Sequence, residues 1–403
     1  MSALKSLLGD MSTEVFFNDF WENAPLHIKK CEGLNLPRLL DFENLLNYAD
    51  LRTPMVRAFI GGELVPEKEF TKSWQAGDEV NSNYVNIDAL KRLITVGATI
   101  SLRGIDRRIL SLWEICRSIE KELGWPSHAT AFITPPNAKN TTPHYDVTDN
   151  FIVQVAGGKL WKIWNKDSIL PLKHEHHILQ ESIAISKKTA PIKEVYLNAG
   201  DILFIPRGHL HEVYTMDENS LHVVIAIEPI RIWGVINLAV KKLVKELHDD
   251  PNFRRSVPLS ASFTESLDKE LSSILLQLKT KIQNNIVWPD ICNGVLNEFV
   301  DSRWASRPGQ IMNTISVLDG NYNDETIFSH RHNLIFSAKY LSDEIVVSFQ
   351  GKTLHFSMNF IEELNYILLT KEFRIVNIIG SSSKNNKTSL VKRLVCEGIL
   401  IIL

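Results

Sequence analysis

Cysteine is scarce in this chain and never clustered. The four cysteines among 403 residues, Cys31, Cys116, Cys292 and Cys396, include no C-x-x-C pair, so neither a zinc-thiolate site nor a redox dithiol is expected. Reduced, mostly buried thiols remain. An excess of one charge is also missing: 44 basic residues stand against 47 acidic ones, which gives no electrostatic reason to expect a nucleic-acid or membrane partner. No uninterrupted hydrophobic run reaches membrane length. The most apolar stretch, LHVVIAIEPIRIWGVINLAV at 221–240, is broken by Glu228, Pro229 and Arg231, which a spanning helix disfavours. The first residues, MSALKSLLGDMSTEVFF, lack the apolar core and cleavage site of a secretory signal, and Asp10 and Glu14 argue against a transit peptide. A cytoplasmic location is the expectation. Internal repeats and low-complexity tracts are absent too.

The length exceeds what one hydrophobic core normally supports, so two or three domains are expected. Residues 1–125 read as a helical flank, with helical spacing in VNIDALKRLITVG and DRRILSLWEICRSIEKELG. From 129 to 229 the pattern changes to short runs rich in Val, Ile, Phe and Trp, punctuated by Pro-Pro, Gly-Gly and Ala-Gly-Asp, which predicts strands and turns. Within it, FIVQVA and KLWKIW flank Gly157-Gly158 and read as a hairpin. The polar stretch 165–194 reads as an insertion at the mouth of this β domain. Beyond 230 helices return: ESLDKELSSILLQLKTKI places Leu267, Leu271, Ile274, Leu278 and Ile282 on one face, which packs in its own domain or against a second subunit. The last sixty residues suggest helix, helix or strand, helix and terminal strand, a winged-helix-like unit. The expected division is therefore 1–235, a catalytic domain with its flank; 236–310, a helical, candidate dimerisation segment; and 311–403, the winged-helix-like domain.

Two separated motifs carry the chemistry. In TTPHYDVTDNF, His144 and Asp146 are one residue apart, so on a strand both project from one face toward one ion. Alone this is weak. Downstream, Gly200, Pro206, Gly208 and His211 in NAGDILFIPRGHLHEV have the spacing G-x5-P-x-G-x2-H, the second motif of the cupin superfamily, in which tight turns deliver a histidine into a barrel. His144, Asp146 and His211 then form a two-histidine, one-carboxylate set suited to non-haem Fe(II) and O2 chemistry. The residual positive charge at such a site stabilises a bidentate 2-oxo acid. Lys159, in phase with Trp161 and Ile163, is the candidate for its distal carboxylate, against the alternative of a solvated turn lysine.

HYDVTDNFIVQVAGGKLWKIW, GDILFIPRGHLHEV and SLHVVIAI together resemble the JmjC-type ribosomal oxygenases, and FWENAPLHIKK at 20–30, TPPN at 134–137 and the helical segment with its winged-helix-like end extend the resemblance over nearly the whole chain. It implies an α+β fold built on a double-stranded β-helix (cupin/JmjC) barrel. It also implies that His144, Asp146 and His211 bind Fe(II) and that Lys159 pairs with 2-oxoglutarate. The activity implied is β-hydroxylation of an arginine or histidine side chain in a ribosomal protein, with a biosynthetic peptide as the departure, and relatives are often dimers. At three cosubstrate positions the sequence departs: Phe132 replaces a common tyrosine, Thr130 an asparagine found in some relatives, and Ala226 a frequent serine. Hydroxylation and N-demethylation are not separable here, because both begin with the same hydrogen abstraction.

Other histidines and basic residues receive blander readings. His174, His176 and His177 in KHEHH belong to a solvated loop, His209 is displaced as a ligand by the motif spacing, and His222 is an interior histidine beside the site. GSSSKNNKTS at 380–389 lacks the second glycine of a phosphate loop. Lys371, Arg374, Lys384, Lys387, Lys392 and Arg393 read as a solvated face, so nucleic acid is not the expected partner. Two further classes stay open: a cupin sensor joined to a DNA-binding winged helix, and a metal-binding cupin without redox turnover.

Overall fold

Alternation along the strands sorts the side chains of the N-terminal part into two layers. The computed structural model describes residues 2–29, 33–139, 142–166, 169–172, 179–256, 272–280, 283, 288–303 and 309–403. It comprises two units, Met1–Pro229 and Ile230–Leu403. The first unit holds β1 (Leu26–Ile28), β2 (Val56–Ile60), β3 (Glu63–Leu64), β4 (Thr71–Ala76), β5 (Glu79–Val85), β6 (Thr99–Arg103), β7 (Ser127–Thr134), β8 (Asp149–Gly157), β9 (Lys159–Lys166), β10 (Lys193–Leu197), β11 (Ile202–Ile205), β12 (His209–Tyr214) and β13 (Ser220–Ile227). One sheet runs β1-β11-β8-β13-β7-β6-β2-β3, a second β10-β9-β12, and β4 pairs with β5.

Phe151 and Val153 of β8, Phe204 of β11, Val223 and Ile225 of β13 and Ala129 and Ala131 of β7 share a core with Leu4, Leu7, Phe16, Leu112 and Ile119. Residues one step out of phase, Ile152, Leu203 and Ile205, pack against Trp161, Ile163, Val195, Leu197 and Val213 of the second sheet. The large sheet thus has a helix-facing side and a side facing the second sheet. Burying one such side chain contributes ~1.5–3 kcal/mol, so a one-residue slip that exchanged the two layers is strongly disfavoured.

A buried ionic cluster fixes the start of β7. Arg117, on the helix Leu110–Leu123, lies 2.9 Å from Glu120 and 3.6 Å from Asp106. Its guanidinium also donates to the Ser127 carbonyl, while Glu120 and Asp106 accept from the Ser127 and Ala129 N–H groups. Such a cluster is costly to bury unless every charge is answered. Here the answers are the backbone groups of β7, which ties the helix to a strand that lines the site.

Two expectations need correction. The flank is not wholly helical: helices form at Ile87–Thr95 and Leu110–Leu123 as the spacing predicts, but β1, β2, β3 and β6 add to the large sheet. TISLR in β6 is buried at four of its five positions, so no alternation separates it from a helix. Nor do β8 and β9 form a hairpin. β8 lies between β11 and β13, and β9 between β10 and β12, so the chain changes sheets at Gly157-Gly158. Gly157 has φ +62°, and a Cβ there would lie 1.8 Å from the Asn219 carbonyl oxygen. Only glycine fits this corner. In the 165–194 stretch, β9 continues to Lys166, a helix spans Leu179–Lys188 and β10 starts at Lys193. His174, His176 and His177 lie outside the described residues.

The second unit contains helices Ile232–Asp249, Trp288–Asp301 and Gln310–Leu318, then β14 (Phe328–His330), β15 (Phe336–Tyr340), β16 (Glu344–Phe349), β17 (Lys352–Ser357), the helix Ile361–Leu369, β18 (Glu372–Phe373), the helix Lys384–Glu397 and β19 (Leu400–Ile402). Its strands form the sheets β18-β14-β19 and β15-β16-β17. In the final stretch the second element, expected as helix or strand, is the short strand β18, between two helices and before the terminal strand β19. Of the amphipathic stretch 265–282, residues 272–280 are helical, while Leu267, Leu271 and Ile282 lie outside the described residues. The Gly380 loop is not open to phosphate, since the Glu363 carboxylate accepts from the Ser382 N–H at 2.8 Å. No described helix is long and apolar enough to cross a membrane.

Gly157→Ala is expected to destabilise the protein by more than ~2 kcal/mol, through backbone strain and overlap with Asn219. Thermal unfolding monitored by circular dichroism checks this, and an unchanged midpoint contradicts the assigned corner.

Candidate metal centre

His144 and Asp146 lie in the irregular segment between β7 and β8, not on a strand as expected. What aligns them is a single antiparallel bridge to β12. The His144 N–H donates to the His211 carbonyl at 3.1 Å, and the His211 N–H donates to the His144 carbonyl at 2.8 Å. One residue pair further along, the Gly208 N–H donates to the Asp146 carbonyl at 3.0 Å. Gly208 has φ +85°, a conformation glycine adopts without steric cost. The second motif is therefore a turn that pins both ligand-bearing segments to each other.

One ligand atom from each of His144, Asp146 and His211 lies within 4.8 Å of the other two, and His211 Nε2 is 3.6 Å from Asp146 Oδ2. His144 Nδ1 is 2.8 Å from the Thr142 carbonyl and His211 Nδ1 is 3.0 Å from the His209 carbonyl. A carbonyl only accepts, so both protons sit on Nδ1 and both Nε2 lone pairs are left for an ion. Burial, then the neighbouring His144, pushes His211 down to about 4, which keeps it neutral and able to ligate near neutral pH. Asn150 Nδ2 donates to Asp146 Oδ2 at 2.6 Å, and Thr148 Oγ1 in turn donates to Asn150 Oδ1 at 2.9 Å. The donor set, with two imidazoles, one carboxylate and an oriented second layer, fits a first-row divalent ion that keeps open positions.

These groups open into a cavity of about 380 Å³ whose wall includes Thr130, Phe132, Trp161, His222 and Ala226, a volume suited to a small ligand. Phe132 stacks on His222 with centroids 5.0 Å apart, and Trp161 meets His222 edge-on at 5.5 Å. Ala226 pairs across the sheet with Asn150. All three departure positions therefore face the cavity.

Lys159 is fully buried, on the same face as buried Trp161 and Ile163. This is not a solvated turn lysine. Its Nζ donates to Thr134 Oγ1 at 2.8 Å, and Thr99 Oγ1 donates to the same oxygen at 3.2 Å. No carboxylate pairs with it among the described residues, and burial pushes its ammonium down to about 7. An arriving carboxylate is the counter-charge this site lacks.

His209 is buried with Nδ1 3.2 Å from the Pro206 carbonyl, and burial pushes it down to about 4. It lies outside the three-ligand cluster. His222 is an interior histidine beside the site, as expected, and burial followed by the Lys159 charge holds it well below its ordinary value. It is not fully satisfied, however: its Nδ1 has no hydrogen-bond partner among the described residues. Sequence reasoning missed Asn150, Thr134, Arg57 and Arg103. Asn150 was within reach, four residues after Asp146 and one before Phe151. The other three have no motif: only sheet order brings Arg57 and Arg103 to the cavity and Thr134 to Lys159.

The JmjC domain family matches residues 106–233. Ribosomal oxygenase 1 of Danio rerio is 30% identical over 155 residues, covering 37% of this chain and 28% of that protein. The bifunctional lysine-specific demethylase and histidyl-hydroxylase NO66 of Caenorhabditis elegans is 32% identical over 139 residues, covering 34% of this chain and 18% of that protein. The chain thus spans less than a third of the length of either relative. Among solved structures, that of YcfD, a ribosomal oxygenase from Escherichia coli, in complex with cobalt and 2-oxoglutarate covers 98% of both chains at a TM-score of 0.56 and 14% identity, so the JmjC cupin fold is shared. Residues 106–233 thus match the JmjC domain, and over part of its length the chain is similar to proteins named ribosomal oxygenases.

Proposed function

We propose that this chain is an Fe(II)- and 2-oxoglutarate-dependent oxygenase that hydroxylates an arginine or histidine side chain of a polypeptide, a ribosomal protein being the first substrate to test. The observation that carries the reading is the combination of one ligand cluster, His144, Asp146 and His211, with a buried lysine that has no acidic partner among the described residues, Lys159. The names of the relatives as ribosomal oxygenases and as a histidyl-hydroxylase support it. When bound, Fe(II) with 2-oxoglutarate and O2 supplies the oxidising power, which ends in succinate, CO2 and a hydroxylated carbon.

The chain's own residues position and shield. His144 and His211 present Nε2 and Asp146 its carboxylate, which Asn150 holds in place. Lys159 and Thr134 receive the distal carboxylate of the keto acid, while Phe132, Thr130 and Ala226 shape the wall around it. Where a tyrosine would add a hydroxyl, Phe132 adds none, so the lysine and the two buried threonines carry the polar contacts at that end. Trp161, Phe132 and Ile152 limit water beside the reacting atoms.

The regulator alternative loses support in the second unit. Lys384 pairs with Asp324 at 2.7 Å and Arg374 with Glu325 at 3.3 Å. Lys392 lies over the Tyr322 ring and Arg393 over the Phe356 ring. A DNA-binding face needs free cations in a contiguous patch. For the second unit we keep the division into a helical segment at 236–310 and a winged-helix-like unit at 311–403, with the former serving a homodimer. Ile232, Trp233, Ile236, Val240 and Val244 are exposed along the helix Ile232–Asp249, an apolar stripe that a second copy would cover.

Asp146→Ala is expected to abolish succinate formation from 2-oxoglutarate, measured by mass spectrometry under air; turnover at the parental rate overturns the ligand set. Asn150→Ala is expected to weaken Co(II) binding by about 10–100-fold without loss of fold, which calorimetry checks. Because Lys159 is held near 7 in the free protein, its charged form, which a carboxylate needs, predominates below that value. Affinity for 2-oxoglutarate is then highest below pH 7 and declines as pH rises through it, by at most about tenfold per unit. Lys159→Arg, charged throughout, is expected to flatten this profile; a parental profile without slope contradicts the assigned role.

A further inference from the structure

The cavity wall carries charge that the proposed chemistry does not use. Arg57 on β2 and Arg103 on β6 both line it. Sheet register explains why: Arg57 pairs with Ser101, and Arg103 lies two residues beyond Ser101 on the same face. Arg103 in turn pairs with Thr130 of β7, so the two guanidiniums sit on the same inward-facing rows as the wall residues already described. Burial, then the Arg57 charge, depresses Arg103, in keeping with two cations on neighbouring strands. Yet neither guanidinium has an acidic or hydrogen-bonding partner among the described residues. Two adjacent cations that line a cavity, Arg57 half-buried and Arg103 exposed, offer an anion a place to bind.

The composition of the rest of the wall narrows the ligand. Among the described residues its single carboxylate is Asp146, which belongs to the proposed metal set. An arginine or lysine side chain entering this cavity would therefore meet two like charges and no free acid, and such a juxtaposition is destabilising. The keto acid has its own buried cation in Lys159, at the Thr134 end of the barrel. Arg57 and Arg103 are left for the other reactant.

Resting on the oxygenase reading, we infer that the polypeptide substrate carries an acidic side chain beside the residue presented to the metal, and that Arg57 and Arg103 hold its carboxylate. Of the two acceptors proposed above, this selects histidine over arginine. Arg57 and Arg103 are specificity residues, which touch the substrate and leave the metal and the keto acid untouched.

The test uses the full chain loaded with Co(II) and 2-oxoglutarate and three fluorescent peptides of equal length. Each has a central histidine, flanked by aspartates, by alanines or by lysines, and binding is read by anisotropy. The aspartate peptide is expected to bind at least about tenfold more tightly than the lysine peptide. Arg57→Gln and Arg103→Gln should each reduce that preference, and the double variant should remove it, with 2-oxoglutarate affinity by calorimetry unchanged. Equal binding of the three peptides, or preference for lysine, overturns the inference. So does a loss of 2-oxoglutarate affinity in the arginine variants, which would assign the pair to the keto acid. If the parent binds the acidic peptide selectively but no 2-oxoglutarate, the oxygenase reading fails while the anion subsite stands.

Discussion

Two backbone hydrogen bonds between His144 and His211 hold the molecule's chemistry together. They join an irregular loop to a barrel strand, and so place ligands from two distant stretches of chain on one centre. Everything around the bridge supports it. Gly208 lets the turn before β12 donate to Asp146, Asn150 restrains the carboxylate, and the backbone carbonyls of Thr142 and His209 select the tautomer of each imidazole. The side chains are aimed by main-chain geometry, which costs little side-chain entropy to maintain.

A second constraint is the division of labour across one sheet. Odd positions in β8 and β13 belong to the helix-facing core, while the even positions Asn150, Ile152, His222, Val224 and Ala226 face the cavity. The same phase continues through β7 and β6 to Arg103, and on β2 to Arg57. Electrostatics then differ along this face: Lys159 is buried beside Thr134, the ligand cluster lies at the loop, and the two arginines occupy the strands added by the flank. An anion is called for at the lysine and again at the arginine pair, and a cation at the ligand cluster.

Much of the centre was legible because its determinants are local. G-x5-P-x-G-x2-H encodes two turns and a strand whose length is set by residue count, and His144 and Asp146 sit close in sequence. The inward placement of Lys159 was legible from phase with Trp161 and Ile163. What failed was non-local. The Gly157-Gly158 corner looked like a hairpin because the partners of β8 and β9 lie elsewhere in the chain, and β6 hid its strand character because burial at four of its five positions removes alternation. Arg57, Arg103 and Thr134 had no signal of any kind, since only sheet order assembles them. Thr134 also shows why a buried lysine was hard to judge: the hydrogen-bond acceptor of its ammonium among the described residues comes from a different strand.

The central claim is that three side chains from the loop after β7 and from β12 share one ion. An anomalous-scattering map from crystals of the protein grown with Mn(II) and 2-oxoglutarate tests it directly. The account predicts one strong peak bonded to His144 Nε2, His211 Nε2 and an Asp146 carboxylate oxygen, with the keto acid reaching from it toward Lys159. A peak bound elsewhere, or one that leaves any of those three side chains uncoordinated, would contradict it.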